Sequence, residues 1–93
     1  MHKKDEDEVD IRVSQGIVRY LKKKTRWDWD RIADLIGVSE WTLRRIKKGE
    51  VGLSLQQLLD LKERMGSEVL SIPKDVSPKV KEIYEAYRFI ILG

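Results

Sequence analysis

Residues 29–48 have the sequence WDRIADLIGVSEWTLRRIKK, the most informative stretch of this 93-residue chain. Its apolar residues recur at the spacing expected of two short helices, with a glycine between them. Ala33 provides the small side chain that steeply crossing helices need where their backbones approach. Gly37 tolerates the positive φ that a tight turn favours. The stretch therefore predicts a compact corner of two helices, with an apolar inner side formed by Ile32, Ile36, Val38, Leu43 and Ile46.

Capping residues and glycines predict where five helices begin and end. Apolar residues recur at helical spacing from Ile11 onward, without the period-two alternation of strands. The sequence therefore predicts an all-α, compact five-helix domain. The first helix should cover residues 14–24, the second should start after Asp28 and stop at Gly37, the third should cover residues 39–48, the fourth should run from Ser54 to Gly66, and the fifth should run from Ser77-Pro78 to about Leu92.

Three parts of the chain are predicted from these elements. Residues 1–10 are rich in charge and poor in apolar side chains, so we expect a flexible charged arm. Residues 11–72 should form the helical domain, and residues 73–93 the C-terminal helix. That helix either folds back over the first and fourth helices or pairs with a second copy, and we favour a homodimer. Its wide apolar stripe consists of Val80, Ile83, Tyr84, Tyr87, Ile90 and Ile91.

Charge is concentrated in the middle of the chain. Residues 14–49 carry ten basic and four acidic side chains, whereas the overall formal net charge is only +3. Residues 1–13 and 50–93 each carry one or two more acidic than basic side chains. A basic centre between near-neutral flanks is typical of a surface that binds phosphates.

The composition also argues against several classes of protein. There is no cysteine, and the single histidine, His2, lies in a charged terminal segment, so we expect neither a metal site nor a cofactor. The acidic pairs have no histidine or cysteine nearby to complete a catalytic site, so we do not expect an enzyme. No apolar run reaches the length of a membrane span or a signal-peptide core, and we expect a cytoplasmic protein.

The free side of the third helix carries the side chains that suit DNA bases. Glu40, Trp41, Arg44, Arg45 and Lys48 fall on one continuous helical face. The planar fork of arginine matches O6 and N7 of guanine, and one such pair is worth about 1 to 3 kcal/mol of discrimination between bases. The predicted base contacts are Glu40, Trp41, Thr42, Arg44 and Arg45.

Residues 14–66 resemble the four-helix core of the lambda-repressor-like (Xre-type) helix-turn-helix family. The resemblance implies that the third helix enters the major groove of double-stranded DNA and that the start of the second helix meets a phosphate. It also implies dimers that bind two-fold related half-sites. We therefore expect a sequence-specific regulator of transcription, a repressor associated with the nucleoid. The resemblance depends on Ala33, Gly37, Val38-Ser39, Gly49, Leu53-Ser54-Leu55 and the apolar positions Ile32, Ile36, Leu43 and Ile46.

Several positions depart from the family pattern and leave alternatives open. Trp29 replaces a common glutamine, and it either meets a phosphate or packs against the first helix. Glu40 either accepts from cytosine or forms an ion pair with Arg44, and we favour the pair. Trp41 meets either thymine methyl groups or a protein partner. The predicted phosphate contacts are Trp29, Ser39, Lys47, Lys48, Lys24 and Arg26.

The sequence also fits a second class of function. The exposed Trp41 and the stripe of the C-terminal helix would also suit an antitoxin-like protein-interaction module. In that case a partner protein, rather than DNA, would cover Trp41. Strong salt dependence of DNA binding would favour the regulator instead.

Overall fold

The computed structural model of the chain describes residues 8–92. Over this range the prediction of a compact, all-helical fold with five α-helices and no strands is confirmed. One short 3₁₀ helix after the fourth α-helix was not predicted. The elements are α1 (Ile11–Thr25), α2 (Trp29–Ile36), α3 (Glu40–Lys48), α4 (Leu55–Met65), the 3₁₀ helix (Ser67–Leu70) and α5 (Pro78–Leu92).

The start of α1 differs from the prediction because a cap lies further upstream. The helix begins at Ile11 rather than at residue 14, and Asp10 is its N-cap. The Asp10 carboxylate accepts a hydrogen bond from the Arg12 backbone N–H at 2.8 Å. A short polar side chain there satisfies an N–H that the first helical turn leaves unpaired.

The segment before α1 belongs to the fold, so the predicted flexible arm is too long. Val9 is buried, and its backbone N–H donates to the Leu53 carbonyl at 2.8 Å. The Ser14 hydroxyl links the same two segments. It accepts a hydrogen bond from the Leu53 N–H at 2.9 Å and donates one to the Val9 carbonyl at 3.4 Å. The Glu8 carboxylate also accepts from the Gly52 N–H at 3.1 Å, so burial of Val9 and several hydrogen bonds together anchor residues 8–10. The rest of the predicted arm, residues 1–7, lies outside the described residues.

The core lies where the sequence pattern predicts it for the two-helix corner. Ala33 is buried at the crossing of α2 and α3. Val38 is half-buried and packs against the same core from the turn. Other buried side chains from the remaining elements complete a single cluster. The buried apolar positions of the corner are Ile32, Ile36, Leu43 and Ile46.

Helix α5 is attached to the domain near its middle. Tyr84 is its one buried residue in the described range, and it packs over Gly16 of α1. The Tyr87 hydroxyl accepts a hydrogen bond from the Asp10 backbone N–H at 2.9 Å. In the last turns of the helix Ile91 still packs against the core, whereas Phe89, Ile90 and Leu92 are exposed. Within residues 8–92, no helix has the length and apolar character needed to cross a membrane.

Candidate nucleic-acid interface

The turn between α2 and α3 fixes the start of α3. Gly37 has φ of 92°, and its N–H and that of Val38 both donate to the Ala33 carbonyl, at 2.8 and 3.0 Å. Ser39 then caps α3, because its hydroxyl oxygen accepts from the Thr42 N–H at 3.1 Å. The left-handed glycine reverses the chain within three residues, as the sequence predicts.

The other end of α3 is fixed by a second glycine and by α1. Gly49 has φ of 82°, and the N–H groups of Gly49 and Glu50 donate to the carbonyls of Ile46 and Arg45 at 3.0 and 2.9 Å, which is a Schellman motif. The Gln15 side chain of α1 donates to the Lys47 carbonyl at 2.9 Å. With both ends held, the outer side of α3 is presented on a rigid support.

The outer side of α3 brings together most of the predicted base contacts. The Trp41 side chain is 63% exposed, and Glu40, Arg44 and Lys48 are also exposed. Arg45 is half-buried at one edge of this surface. Thr42 is half-buried as well, and its hydroxyl oxygen lies 3.0 Å from the Ser39 hydroxyl. We call the surface formed by Trp41, Arg44, Arg45 and Lys48 the outer face of α3.

Arg45 is held by two neighbours that position its guanidinium. Its central carbon lies 5.0 Å from the centre of the Trp41 ring. Its Nε donates to the Glu50 carboxylate at 3.2 Å, just beyond the end of the helix. The terminal nitrogens of Arg45 donate no hydrogen bond within residues 8–92 and remain free for another acceptor.

The predicted ion pair between Glu40 and Arg44 is absent, and Glu50 pairs with Arg45 instead. Both Glu40 and Arg44 are exposed, and an exposed pair of this kind gains little energy against the entropy of its side chains. Glu50 has an advantage because the Schellman turn at Gly49 brings its backbone to the Arg45 carbonyl. Gly49 indicates this turn in the sequence, whereas the four-residue spacing within the helix favours a pair between Glu40 and Arg44.

Trp29 packs as one of its two alternatives predicts, and its contact with a phosphate stays a prediction. It is half-buried and packs against the core at the start of α2. The ammonium groups of Lys47 and Lys22 lie 3.8 and 4.9 Å from its ring centre. Cations over an indole face are favourable and keep both lysines at the surface beside the helix start. Lys22 belongs to the basic run at the end of α1, and it shares a side of that helix with Gln15 because it follows Gln15 by seven residues.

The loop from α1 to α2 adds another aromatic residue with a cation. The Arg31 guanidinium carbon lies 4.1 Å from the centre of the Trp27 ring, and Lys22 donates to the Trp27 carbonyl at 2.7 Å. Arg26 is exposed and has φ of 61°, a conformation unusual for a residue with a side chain. The Asp28 side chain, the predicted cap of α2, makes no capping hydrogen bond.

Two of the predicted phosphate contacts are occupied elsewhere. The Lys24 ammonium contacts the Glu68 carboxylate at 3.3 Å, and that hydrogen bond raises the pKa of Lys24. Lys24 also lies about 200° around α1 from Lys22, since two residues along a helix turn it by that angle. The Ser39 hydroxyl is used by the cap of α3. Lys22 and Lys47 beside Trp29 are therefore better placed than Lys24 to contact a phosphate.

Comparisons with protein families, with curated proteins and with solved structures gave no match. In the part of the chain that the structure describes, no three histidine, aspartate or glutamate side chains are grouped as a metal site would require.

Proposed function

We propose that this protein is a sequence-specific DNA-binding regulator of transcription with a lambda-repressor-like fold, and that it represses by occupying a promoter. α3 enters the major groove with its outer face toward the bases. The observation that carries the proposal is the outer face itself, an exposed, cation-rich surface on a helix that is fixed at both ends. The protein acts at the nucleoid, in the cytoplasm, without catalysis or a cofactor.

Arg45 is the main base-contacting residue of this proposal. Trp41 and Glu50 restrict its side chain, so less conformational entropy is lost when its terminal nitrogens meet O6 and N7 of a guanine. Arg44 is exposed and adaptable and contacts a neighbouring base or phosphate. Trp41 offers an apolar surface for a thymine methyl group.

Phosphates are bound where α2 begins. The backbone N–H groups of Trp29 and Asp30 donate to no acceptor within residues 8–92, and the Asp28 side chain does not cap them. Free N–H groups at a helix start favour an anion. Lys22 and Lys47 beside the Trp29 ring add positive charge at the same place.

Dimerisation through the end of α5 completes the proposal. Phe89, Ile90 and Leu92 are exposed in one short segment of helix, and pairing with a second copy would remove them from water. Two domains joined in this way bind two half-sites with a gain from effective concentration.

Selection of binding sites from random duplex DNA tests the proposal. We expect an inverted repeat, and affinity for it that falls steeply with salt. Arg45→Ala should relax the preference at one base position in each half-site and cost about 1 to 3 kcal/mol. Lys79→Ala, which removes one charge from an exposed site on α5, is the control and should keep the preference. Failure to enrich any sequence would contradict the proposal.

A protein-interaction module is the second candidate. The exposure of Trp41 favours it, because a large aromatic side chain in water is costly without a partner. In that case Trp41→Ala would abolish capture of a partner protein, while DNA binding would be weak and independent of sequence.

A further inference from the structure

A cavity of about 710 Å³ lies between α1, the segment of residues 72–76 and the first half of α5. Its volume falls within the range of about 300 to 1,000 Å³ that is usual for small-molecule sites. One wall is a ridge of α1 that includes Gly16, Arg19 and Lys23. The other wall is formed by the segment from Ile72 to Val76 and by α5. The cavity is therefore separate from the outer face of α3.

Positive charge predominates around this cavity. Arg19 and Lys23 come from one wall and Lys74 from the other, and none of the three forms an ion pair within residues 8–92. Arg12 also lines the cavity, but it contacts Asp10 at 3.2 Å. Asp75 is the single acidic side chain of the described lining. Unpaired cations on facing walls attract a negatively charged group.

The hydroxyl of Tyr84 lacks a hydrogen-bond partner at the wall of this cavity. It is fully buried, and a Cβ atom at Gly16 would lie 1.7 Å from it. A buried donor without an acceptor is costly, and native proteins rarely leave one. Burial raises the pKa of this hydroxyl, and the positive charge of Arg19 opposes the rise. Tyr87 on the same helix provides the contrast, since its hydroxyl is satisfied by Asp10.

Four apolar side chains also line the cavity. Ile72, Pro73, Val76 and Val80 face the same space as the cations. A bare inorganic ion would leave this apolar surface uncovered, whereas a ligand with an apolar body would bury it. The lining thus fits a molecule that has an acid group at one end and a ring or short chain at the other.

We propose that this cavity binds a small organic anion, a carboxylate or a phosphate monoester carried on an apolar body. Arg19, Lys23 and Lys74 surround the acid group, and the Tyr84 hydroxyl donates a hydrogen bond to it. Contact with that hydroxyl requires a shift of the cavity wall around it, because the hydroxyl is closed off from water in the free protein. Binding thereby satisfies the unpaired donor.

The cavity is connected to α3 through one side chain. Gln15 lines the cavity and also donates to the Lys47 carbonyl at the end of α3. A ligand that draws the Gln15 amide toward itself releases that end of α3. The ligand is then an effector of DNA binding, a consequence that rests on the proposed function.

Titration of the DNA-free protein, followed by amide chemical shifts in NMR, tests the cavity. The probes are benzoate, phenyl phosphate, inorganic phosphate and the neutral phenol. We expect saturable shifts at Gly16, Arg19 and residues 72–76 with benzoate or phenyl phosphate, and weaker effects of phenol and inorganic phosphate. The tighter of the two organic anions identifies the acid group. Equal binding of phenol, or shifts confined to Phe89 and Leu92, would overturn the proposal.

Two variants and a control make the assignment specific. Tyr84→Phe should weaken the better anion about tenfold, since a hydrogen bond to a charged group is lost. The same change should leave the melting temperature equal or higher, because the hydroxyl has no partner in the free protein. Arg19→Gln should weaken binding, and Lys79→Gln should not. Unchanged affinity in both Tyr84→Phe and Arg19→Gln would overturn the site.

The connection to α3 is tested separately, with the selected DNA site. Saturating phenyl phosphate or benzoate should change DNA affinity in the native protein but not in Gln15→Ala. An anion that binds without changing DNA affinity would overturn the connection and leave the cavity site intact. Because the first titration contains no DNA, failure of the proposed function would not be mistaken for failure of the site.

Discussion

The outer face of α3 and the end of α5 both expose large apolar side chains, but their surroundings differ. Trp41 on α3 lies beside the Arg45 guanidinium, with Arg44 and Lys48 on the same side of the helix. Phe89 on α5 is 77% exposed and lies with the exposed apolar Ile90 and Leu92, and the exposed charges near it, Glu85 and Arg88, are of opposite sign. The two regions thus expose apolar side chains in different electrostatic settings, cationic on α3 and balanced in charge on α5.

This difference indicates different partners for the two regions. An aromatic ring among cations suits a polyanion whose bases are partly apolar, because both parts of the surface then find a match. A continuous apolar segment suits another protein surface, most simply the same segment of a second copy. Exposure alone does not distinguish the two cases, whereas the neighbouring charges do.

The largest expected effect is a loss of stability when the packing of α5 on α1 is disrupted. Gly16→Ala places a Cβ atom 1.7 Å from the buried Tyr84 hydroxyl. Alanine would favour the helix by about 1 kcal/mol, but overpacking of this kind costs about 1 to 3 kcal/mol, and the severe overlap indicates the upper end. We expect a net loss of about 2 kcal/mol in the free energy of unfolding, measured by urea denaturation.

The double variant with Tyr84→Phe is the control for this prediction. It removes the clashing oxygen and leaves a tight contact of 3.1 Å to the ring. Most of the loss should therefore be recovered when Gly16→Ala is made in that background. A loss of the same size in both backgrounds would show that the Tyr84 hydroxyl is not the obstacle.

Truncating one aromatic residue in each region tests whether α3 and the end of α5 have different partners. Trp41→Ala should weaken binding to the selected DNA about tenfold or more and leave self-association unchanged. Phe89→Ala should weaken self-association by a similar factor and leave the base preference unchanged. Calorimetric DNA titration and sedimentation equilibrium measure the two effects. If each variant impaired DNA binding and self-association equally, the assignment of DNA binding to α3 and of self-association to α5 would be wrong.

A smaller effect should follow acidification, through the cap that links α1 to α5. Burial tends to raise the pKa of Asp10, but hydrogen bonds from Arg12 outweigh it and hold the pKa below its ordinary value of 3.8. A lowered pKa means that this stabilisation is present above pH 3.8 and is lost as the pH falls through the folded-state pKa. Asp10→Asn keeps a capping side chain, so its stability should depend less on pH below 3.8 than that of the native protein.

The smallest effect concerns how Arg45 is positioned on the outer face of α3. Glu50→Gln keeps the shape of the side chain and removes the charge that holds the Arg45 Nε. The loss of stability should be only about 0.5 kcal/mol, because both side chains are partly exposed. Preference for the base contacted by Arg45 should relax while total DNA affinity rises slightly, since a negative charge is removed. A sharper base preference in Glu50→Gln would contradict a positioning role.

The elements that could be predicted from the sequence are those determined by short-range signals. Gly37 and Gly49 end helices because only a left-handed residue fits there, and Ser39 and Ser54 start helices by capping them. These effects involve residues within four positions of each other. The same is true of the outer face of α3, which follows from helical periodicity alone.

The features that could not be predicted depend on contacts between distant residues. Val9 is anchored by Leu53, and Lys22 lies over Trp29 of the next helix. Lys24 was grouped with the phosphate contacts, but it faces Glu68 because the unpredicted 3₁₀ helix lies on that side of α1. No local pattern records which side of α1 each neighbour will occupy.

The three tryptophans lie in different surroundings, so their intrinsic fluorescence should report on different parts of the molecule. Trp41 is largely in water, so its emission should lie at long wavelength, whereas the half-buried Trp27 and Trp29 should emit further to the blue. DNA in the groove would cover Trp41 first, and changes at the start of α2 would reach Trp29 through Lys22 and Lys47. Replacing one tryptophan at a time by phenylalanine would separate their signals, so that docking of each helix can be followed in real time without an added dye.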